Sequence, residues 1–384
     1  MFVAYRVLSI RQNANGNFRS NDALSWDFIN WQHDKFGTCA RQKDMVMPIP
    51  TRKAVLWNAH AGSIAHAREL EQQLRENSQI GFYSTASGQT LDQLVQQAFD
   101  DGFQCLIAAG GDGTASTVAG RVYASQQSHS DRIFSFGILP LGSGNDFART
   151  LNLPLEPMAA WEAIEQGDLI DCDLLELEAD GHSRVALNML TAGNTGKYLE
   201  NLTEEIKARW GPLCYLRGVV DVVVNLQVYH GQIEVDGQKI AGESWLNLFV
   251  ANGKYSGGGQ EVAANATPFD GTLNLLAIAD GPPTELVSLP ASYFRGEAPE
   301  HPLIHTSCGK SVTITSQEPW PCTADGESFK ASLIHIRVIE RALKVIQPQS
   351  EGLSNSLPSG TLSTAEASGT GMSQPRGKTI FSHP

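Results

Sequence analysis

The sequence predicts an α/β domain followed by a mostly antiparallel β domain. Three observations carry that reading. From Lys53 to about Leu153 short apolar runs alternate with stretches of helical spacing. From Ile170 onward extended runs dominate. Glycine-bearing turns follow three of the apolar runs in the first half. Alternating β and α units give a parallel sheet covered on both faces, whereas successive strands give an antiparallel layer.

The elements follow in order. Residues 54–57 form a short apolar strand, and 63–77 place Ile64, Ala67, Leu70 and Leu74 on one helical face. A second strand covers 80–84. Thr90 and Gln93 have the spacing of a capping box, with Leu91, Leu94, Val95 and Ala98 behind them and Gly102 as the stop. A third strand spans 103–109, a helix 114–124, and a fourth strand 134–139. In the second half, 170–178, 184–190, 231–235, 244–251, 272–279, 311–316 and 333–338 read as strands. Asp236-Gly237 makes a hairpin turn. Helices are expected at about 203–226 and 284–295. In the first of these, Leu213, Leu216, Val220, Val223 and Val224 share a face read as core.

These runs divide the chain into an extension at 1–50, an α/β domain at 51–155 and a β-rich domain at 156–334. The chain end near 335–347 is expected to rejoin the α/β domain. A Ser-, Gly-, Thr- and Pro-rich tail at 348–384 cannot bury enough surface to order itself.

Composition narrows the function. The 384 residues carry 28 basic and 41 acidic side chains, a net charge of −13. That balance speaks against a nucleic-acid binder. The six cysteines show no CxxC pair and no zinc spacing, so they read as free thiols in a reducing compartment. No run is long and apolar enough to span a bilayer, and the N-terminus lacks the order of a signal peptide. The expectation is a soluble, cytoplasmic protein. His301 and His305 have HxxxH spacing, but Pro302 excludes the zinc-protease pattern, and no GxSxG elbow exists.

In an open parallel sheet, ligands sit beyond the carboxyl ends of the strands. The three turns there are 58–62, 110–114 and 142–146. Glycine lets main-chain N–H groups approach an anion, and the helix N-terminus that follows adds favourable dipole charge. Thr114 and Ser143 can donate hydroxyls, and Asp112 can orient a hydroxyl or face a metal-held nucleotide. A polyphosphate fits this edge best. GxxxxGK[ST] is absent, so this is not an ordinary P-loop. In the turn at 325–327, Asp325 and Glu327 flank one glycine. Two carboxylates held apart by one flexible glycine could do one job each, whereas the bland reading is an ordinary DG turn with a solvated glutamate.

The motifs together resemble a known family. GGDGT at 110–114 resembles the signature shared by diacylglycerol, sphingosine, ceramide and NAD kinases. GILPLGSGNDFA at 137–148 resembles the lipid-kinase branch, with Ser143 for threonine. NGKYSGGGQ at 252–260, DGTL at 270–273 and DGE at 325–327 are similar to bacterial lipid kinases of the YegS type. The resemblance runs in order from about Lys53 to Ile346. It implies a doubly wound α/β nucleotide domain of the NAD kinase/diacylglycerol kinase type with a C-terminal β-sandwich domain. The implied reaction is transfer of the ATP γ-phosphoryl group to a hydroxyl of diacylglycerol or a related lipid. The lipid would be met transiently at a membrane surface.

The implied nucleotide contacts are Asn58, Gly62, Thr85, Gly110, Gly111, Asp112, Gly113, Thr114, Ser116, Thr117, Ser143, Asn145 and Asp146. ATP and Mg2+ are the implied cofactors. Asp270, with the carbonyls of Thr267 and Thr272, falls on a magnesium site that is mainly structural in the family. The proton acceptor lies at Asp325 or Glu327, with Asp112 as a third candidate. Ala59, Ala61, Ser116 and Thr117 depart from the family pattern; Thr117 stands where a glutamate is usual. Two rival readings stand beside this one: an NAD kinase-like phosphorylation of a soluble hydroxyl, and a non-catalytic lipid- or nucleotide-binding module.

Overall fold

The computed structural model describes residues 49–195, 226–282, 284–286, 288 and 301–349. Four parallel strands form the N-terminal layer: β1 (Lys53–Trp57), β2 (Ile80–Ser84), β3 (Cys105–Gly110) and β4 (Ser135–Pro140). Their spatial order is β4-β3-β1-β2. Helices α1 (Arg68–Glu76), α2 (Leu91–Asp100) and α3 (Asp112–Ser128) connect them, and a 3₁₀ turn at Ile64–Ala67 leads into α1. The crossovers explain the sequence pattern. β1, β3 and β4 are buried along their whole length, as parallel strands under helices must be. Thr90 caps α2 with the reciprocal Thr90–Gln93 pair that its spacing predicts.

Two short helices extend this layer beyond the sequence expectation. α4 (Asp146–Thr150) opens directly after the third glycine turn. α5 (Pro157–Gln166) has Pro157 in its first turn, and the Glu156 carboxylate accepts from Met158 N and Ala159 N. α3 also starts two residues earlier than its apolar spacing suggests, because Gly111 takes the N-cap position.

The second half is largely antiparallel. Its strands are β5 (Asp168–Ala179), β6 (His182–Ala186), β7 (Met189–Gly193), β8 (Tyr229–Val235), β9 (Gln238–Lys239) and β10 (Ser244–Ala251). A small ribbon, β11 (Tyr255–Ser256) with β12 (Gln260–Glu261), follows. β13 (Leu273–Ala279), β14 (Ile304–Gly309), β15 (Ser311–Ala324) and β16 (Glu327–Gln347) complete it. Trp245, Trp320, Leu248 and Ile334 lie in its core; Trp57, Phe136 and Leu139 lie in the core of the first half. At about 1.5–3 kcal/mol for each large side chain buried, these two cores dominate stability.

β16 joins the layers. It pairs with β15 over its first half, runs along β5, and then lies parallel to β4 at Lys344↔Ser135 and Val345↔Phe136. The register shifts between Ile339 and Leu343, where Arg341 adopts φ 55°. The buried Asp173 carboxylate holds that irregularity by accepting from Arg341 N at 2.7 Å, and also accepts from Gly271 N at 2.8 Å.

Two differences from the sequence expectation bear on function. The single strand expected at 184–190 is two strands, β6 and β7, broken at Leu187 and Asn188. The main-chain N–H groups at the break turn toward a buried carboxylate rather than a neighbouring strand. The strands expected at 311–316 and 333–338 are the outer parts of one long hairpin, whose turn is Asp325-Gly326. The helix expected at 203–226 and most of that at 284–295 lie outside the described residues. So do nearly all of 1–50 and 348–384.

Candidate active site

Three turns meet at the carboxyl ends of β1, β3 and β4. Asn58 begins the first; its Nδ2 donates to Thr114 Oγ1 at 3.0 Å and its Oδ1 accepts from His60 N. Thr85 Oγ1 accepts from Ala59 N at 3.0 Å, so Thr85 braces this turn from beneath. Gly110 and Gly111 form the second. A Cβ on Gly110 would stand 2.3 Å from Thr114 Oγ1, which only glycine avoids. Gly142 opens the third, and a Cβ there would lie 2.4 Å from Gly111 Cα. The two loops therefore touch backbone to backbone. Asn145, in the left-handed region at φ 54°, ties its turn with Oδ1 accepting from Gly142 N and Nδ2 donating to Gly142 O. Ser143 is exposed at the rim, facing Gly62.

These turns border an open groove of about 410 Å3 whose walls include Gly62, Leu91, Gly113, Thr114 and Thr117. The first turn of α3 offers its N–H groups there, the arrangement that takes an anion.

Acidic groups gather beside the groove. Asp112 Oδ1 accepts from Phe147 N at 3.3 Å. Burial pushes the Asp112 carboxyl up to about 6, helped by the nearby Asp146 charge and, more weakly, by Asp325. Asp146 accepts from Gly258 N at 3.1 Å and Gly259 N at 2.6 Å through Oδ1. That contact binds the triglycine loop of the β domain to the third turn. Arg149 Nε donates to Gly144 O on the same side.

The Asp-Gly-Glu turn closes the far side. Asp325 (φ 47°) and Gly326 (φ 92°) form a tight hairpin turn pairing Ala324 with Glu327. The two carboxylates differ completely. Asp325 accepts from Ser116 Oγ at 2.7 Å, Leu187 N at 2.5 Å, Asn188 N at 3.0 Å and Met189 N at 3.1 Å. Burial raises its carboxyl above the ordinary value, against these four donors, which lower it. The Glu327 side chain is 81% exposed, with Arg184 Nη1 3.9 Å from Oε2. Arg184 itself stacks over the Phe329 ring.

Comparisons with known proteins bear on the family and the fold. Residues 52–177 match the family model described as diacylglycerol kinase catalytic domain. Residues 190–347 match the YegS C-terminal NAD kinase beta sandwich-like domain. This chain belongs to the diacylglycerol kinase/YegS-like superfamily. Among the relatives of this lipid-kinase superfamily member is a diacylglycerol kinase of Staphylococcus carnosus. It is 27% identical over 280 residues, 72% of this chain and 88% of the relative. A probable lipid kinase YegS-like of Xanthomonas euvesicatoria is 27% identical over 308 residues, 78% of this chain and 97% of the relative. A putative diacylglycerol kinase from Bacillus anthracis shares the fold with a TM-score of 0.61 at 21% identity, covering 82% of this chain and 99% of that one.

Within this superfamily member the structure brings most of the expected residues to one cleft. Asn58, Gly62, Gly111, Gly113, Thr114 and Thr117 line the groove, and Gly110, Asp112, Asn145 and Asp146 belong to the turns beside it. Ser116 instead faces Asp325. Thr267, Asp270 and Thr272 form a separate turn. There Asp270 Oδ1 accepts from Thr272 N and Oγ1, and Asp173 anchors Gly271. Among the described residues no group of three or more His, Cys, Asp or Glu side chains forms a metal cluster. The sequence reading missed the N–H groups of 187–189 and the anchor Asp173. No residue-type signal marks the former, since any residue supplies an N–H. No helix among the described residues is long and apolar enough to cross a membrane.

Proposed function

We propose that this member of the lipid-kinase superfamily transfers the ATP γ-phosphoryl group to the hydroxyl of diacylglycerol or a related glycerolipid, with Glu327 as the general base. The observation that carries the assignment is the contrast between its two turn carboxylates. Asp325 spends both oxygens on four fixed donors and has no lone pair aimed at solvent chemistry. Glu327 is two residues away, on the same hairpin, exposed beside the Arg184 guanidinium, where its carboxylate can accept a proton from a hydroxyl brought to it. Asp325 is then a positioning residue. It ties Ser116 of α3 to the 187–189 break and fixes the turn that carries Glu327.

The triphosphate would lie on the N–H groups of Gly111–Thr114 and the Ser143 turn. Asp112 and Asp146 fit a divalent cation. They are neighbouring carboxylates in a partly buried site, and their mutual repulsion is what a bound cation relieves. Mg2+ held there would neutralise phosphate charge. A second, structural cation fits Asp270 and the carbonyls of Thr267 and Thr272, an all-oxygen set suited to a hard ion. The β domain would carry the lipid, met transiently at a membrane surface by a cytoplasmic enzyme.

The test is transfer of labelled γ-phosphate from MgATP to diacylglycerol, phosphatidylglycerol, sphingosine, ceramide and NAD. Labelled glycerolipid is expected. Label on NAD alone overturns the lipid assignment, and no labelled product with ATP still bound supports a binding module.

A further inference from the structure

Glu327 does not stand alone at the end of its hairpin. Arg184 lies beside it, with Nη1 3.9 Å from Glu327 Oε2. The same guanidinium covers the Phe329 ring, its Cζ 4.3 Å from the ring centroid. Glu327 and Phe329 are two residues apart on β16, so their side chains leave the strand on one face. The Phe329 ring packs against the core of the β domain and gives the guanidinium a fixed platform. The Arg184 side chain is 30% exposed and that of Glu327 81% exposed. One partner of the pair is packed in place, and the other reaches it from solvent. Both start from the same knot in the backbone. Arg184 lies on β6, three residues before Leu187, whose N–H donates to the Asp325 carboxylate. Glu327 lies two residues after Asp325. β6 also packs on α3, where a Cβ on Gly120 would stand 3.5 Å from Val185 Cγ2. The placement of guanidinium against carboxylate is thus set by backbone that the Asp325 turn fixes.

We infer that Arg184 is a positioning residue, which holds the Glu327 carboxylate in one direction at the end of the hairpin. The inference rests on the reading of Glu327 as the base. An exposed glutamate has about nine staggered combinations of χ1 and χ2, and few of them present the carboxylate to a given hydroxyl. An exposed ion pair shifts such a population by a factor of up to about 5 and adds little to folding. Arg184 therefore acts on the rate of transfer and not on stability.

The experiment measures kcat and KM for MgATP in phosphoryl transfer to diacylglycerol by the full chain, with melting temperature beside them. Wild type is compared with Arg184→Met, Arg184→Lys, Glu327→Gln and the double variant of Arg184→Met with Glu327→Gln. Methionine keeps an apolar stem on the Phe329 ring and loses the charge, whereas lysine keeps the charge. The expected result is a kcat about three- to fivefold lower in Arg184→Met, with KM and melting temperature unchanged. Arg184→Lys should recover most of that loss. In the Glu327→Gln background Arg184→Met should have no further effect, as a residue acting through Glu327 requires. Arg184→Met at the wild-type kcat overturns the inference and, with Glu327→Gln inactive, leaves the base reading standing. Arg184→Lys no better than Arg184→Met overturns it, because the charge is then immaterial. An equal fall in both Glu327 backgrounds overturns it too, since Arg184 then acts elsewhere. Glu327→Gln at the wild-type rate, or no transfer by the wild type, overturns the base reading and this inference together.

Discussion

Replacing Asp112 by asparagine is expected to stabilise the nucleotide-free protein while abolishing its activity. The side chain keeps its shape, and its amide oxygen can still accept from Phe147 N. What it loses is a charge that burial and Asp146 disfavour. The carboxyl is displaced from its ordinary 3.8 to about 6. A displacement of about two pH units corresponds to about 3 kcal/mol between protonation states. Solvent reaching the open side of the cleft, and local relaxation, reduce this to about 1–2 kcal/mol. The sign follows from proton binding. A carboxyl raised on folding costs stability in full above its folded value. That cost fades as pH falls from about 6 toward 3.8 and is gone below it. The variant should therefore melt about 2–6 °C above wild type at pH 7.5 in chelator, with the gap closing by pH 4. The assay is paired thermal melts across that range, read as differences so that other titrations cancel. A variant less stable at pH 7.5, or a gap that persists at pH 4, would refute the reasoning.

Other substitutions separate positioning from chemistry. Asp325→Asn puts an amide donor against N–H groups of the 187–189 break, and should cost about 2–4 kcal/mol in denaturant unfolding together with activity. Ser116→Ala removes one donor to that carboxylate and should cost about 1–2 kcal/mol by the same measurement, with a fall in kcat. Gly142→Ala drives a Cβ against Gly111, so calorimetry should show nucleotide affinity falling at least tenfold while the distant β domain stays folded by its tryptophan fluorescence. Removing divalent cations should raise the stability benefit of lowering pH from 7.5 to 5, since the Asp112–Asp146 repulsion then lacks a counter-ion.

Much of this architecture is legible in the residues because each signal has a local cause. The strand at 80–84 and that at 244–251 have the expected bounds, and the Thr90 cap forms as its spacing requires. The DG and glycine turns are legible because few residues tolerate the φ values and close approaches found there. The break at Leu187 and Asn188 is not legible. Its cause is Asp325, 137 residues from Asn188 in sequence, and an apolar run gives no notice of a carboxylate arriving from so far away. The different surroundings of Asp325 and Glu327 are equally invisible in sequence, since both flank the same glycine. They part only when one carboxylate meets Ser116 and the 187–189 N–H groups while the other projects outward. α5 was readable from Glu156-Pro157, a capping carboxylate before a first-turn proline, and from Pro157, Ala160, Trp161 and Ile164, whose spacing gives the helix its buried face.

The measurement that tests the central claim most directly is γ-phosphoryl transfer to a glycerolipid by wild type and Glu327→Gln, with melting temperature and MgATP affinity measured on both. Phosphorylated lipid from the wild type, at least 100-fold less from a variant of equal stability and equal nucleotide affinity, is the predicted result. A variant that transfers phosphate at the wild-type rate would contradict it.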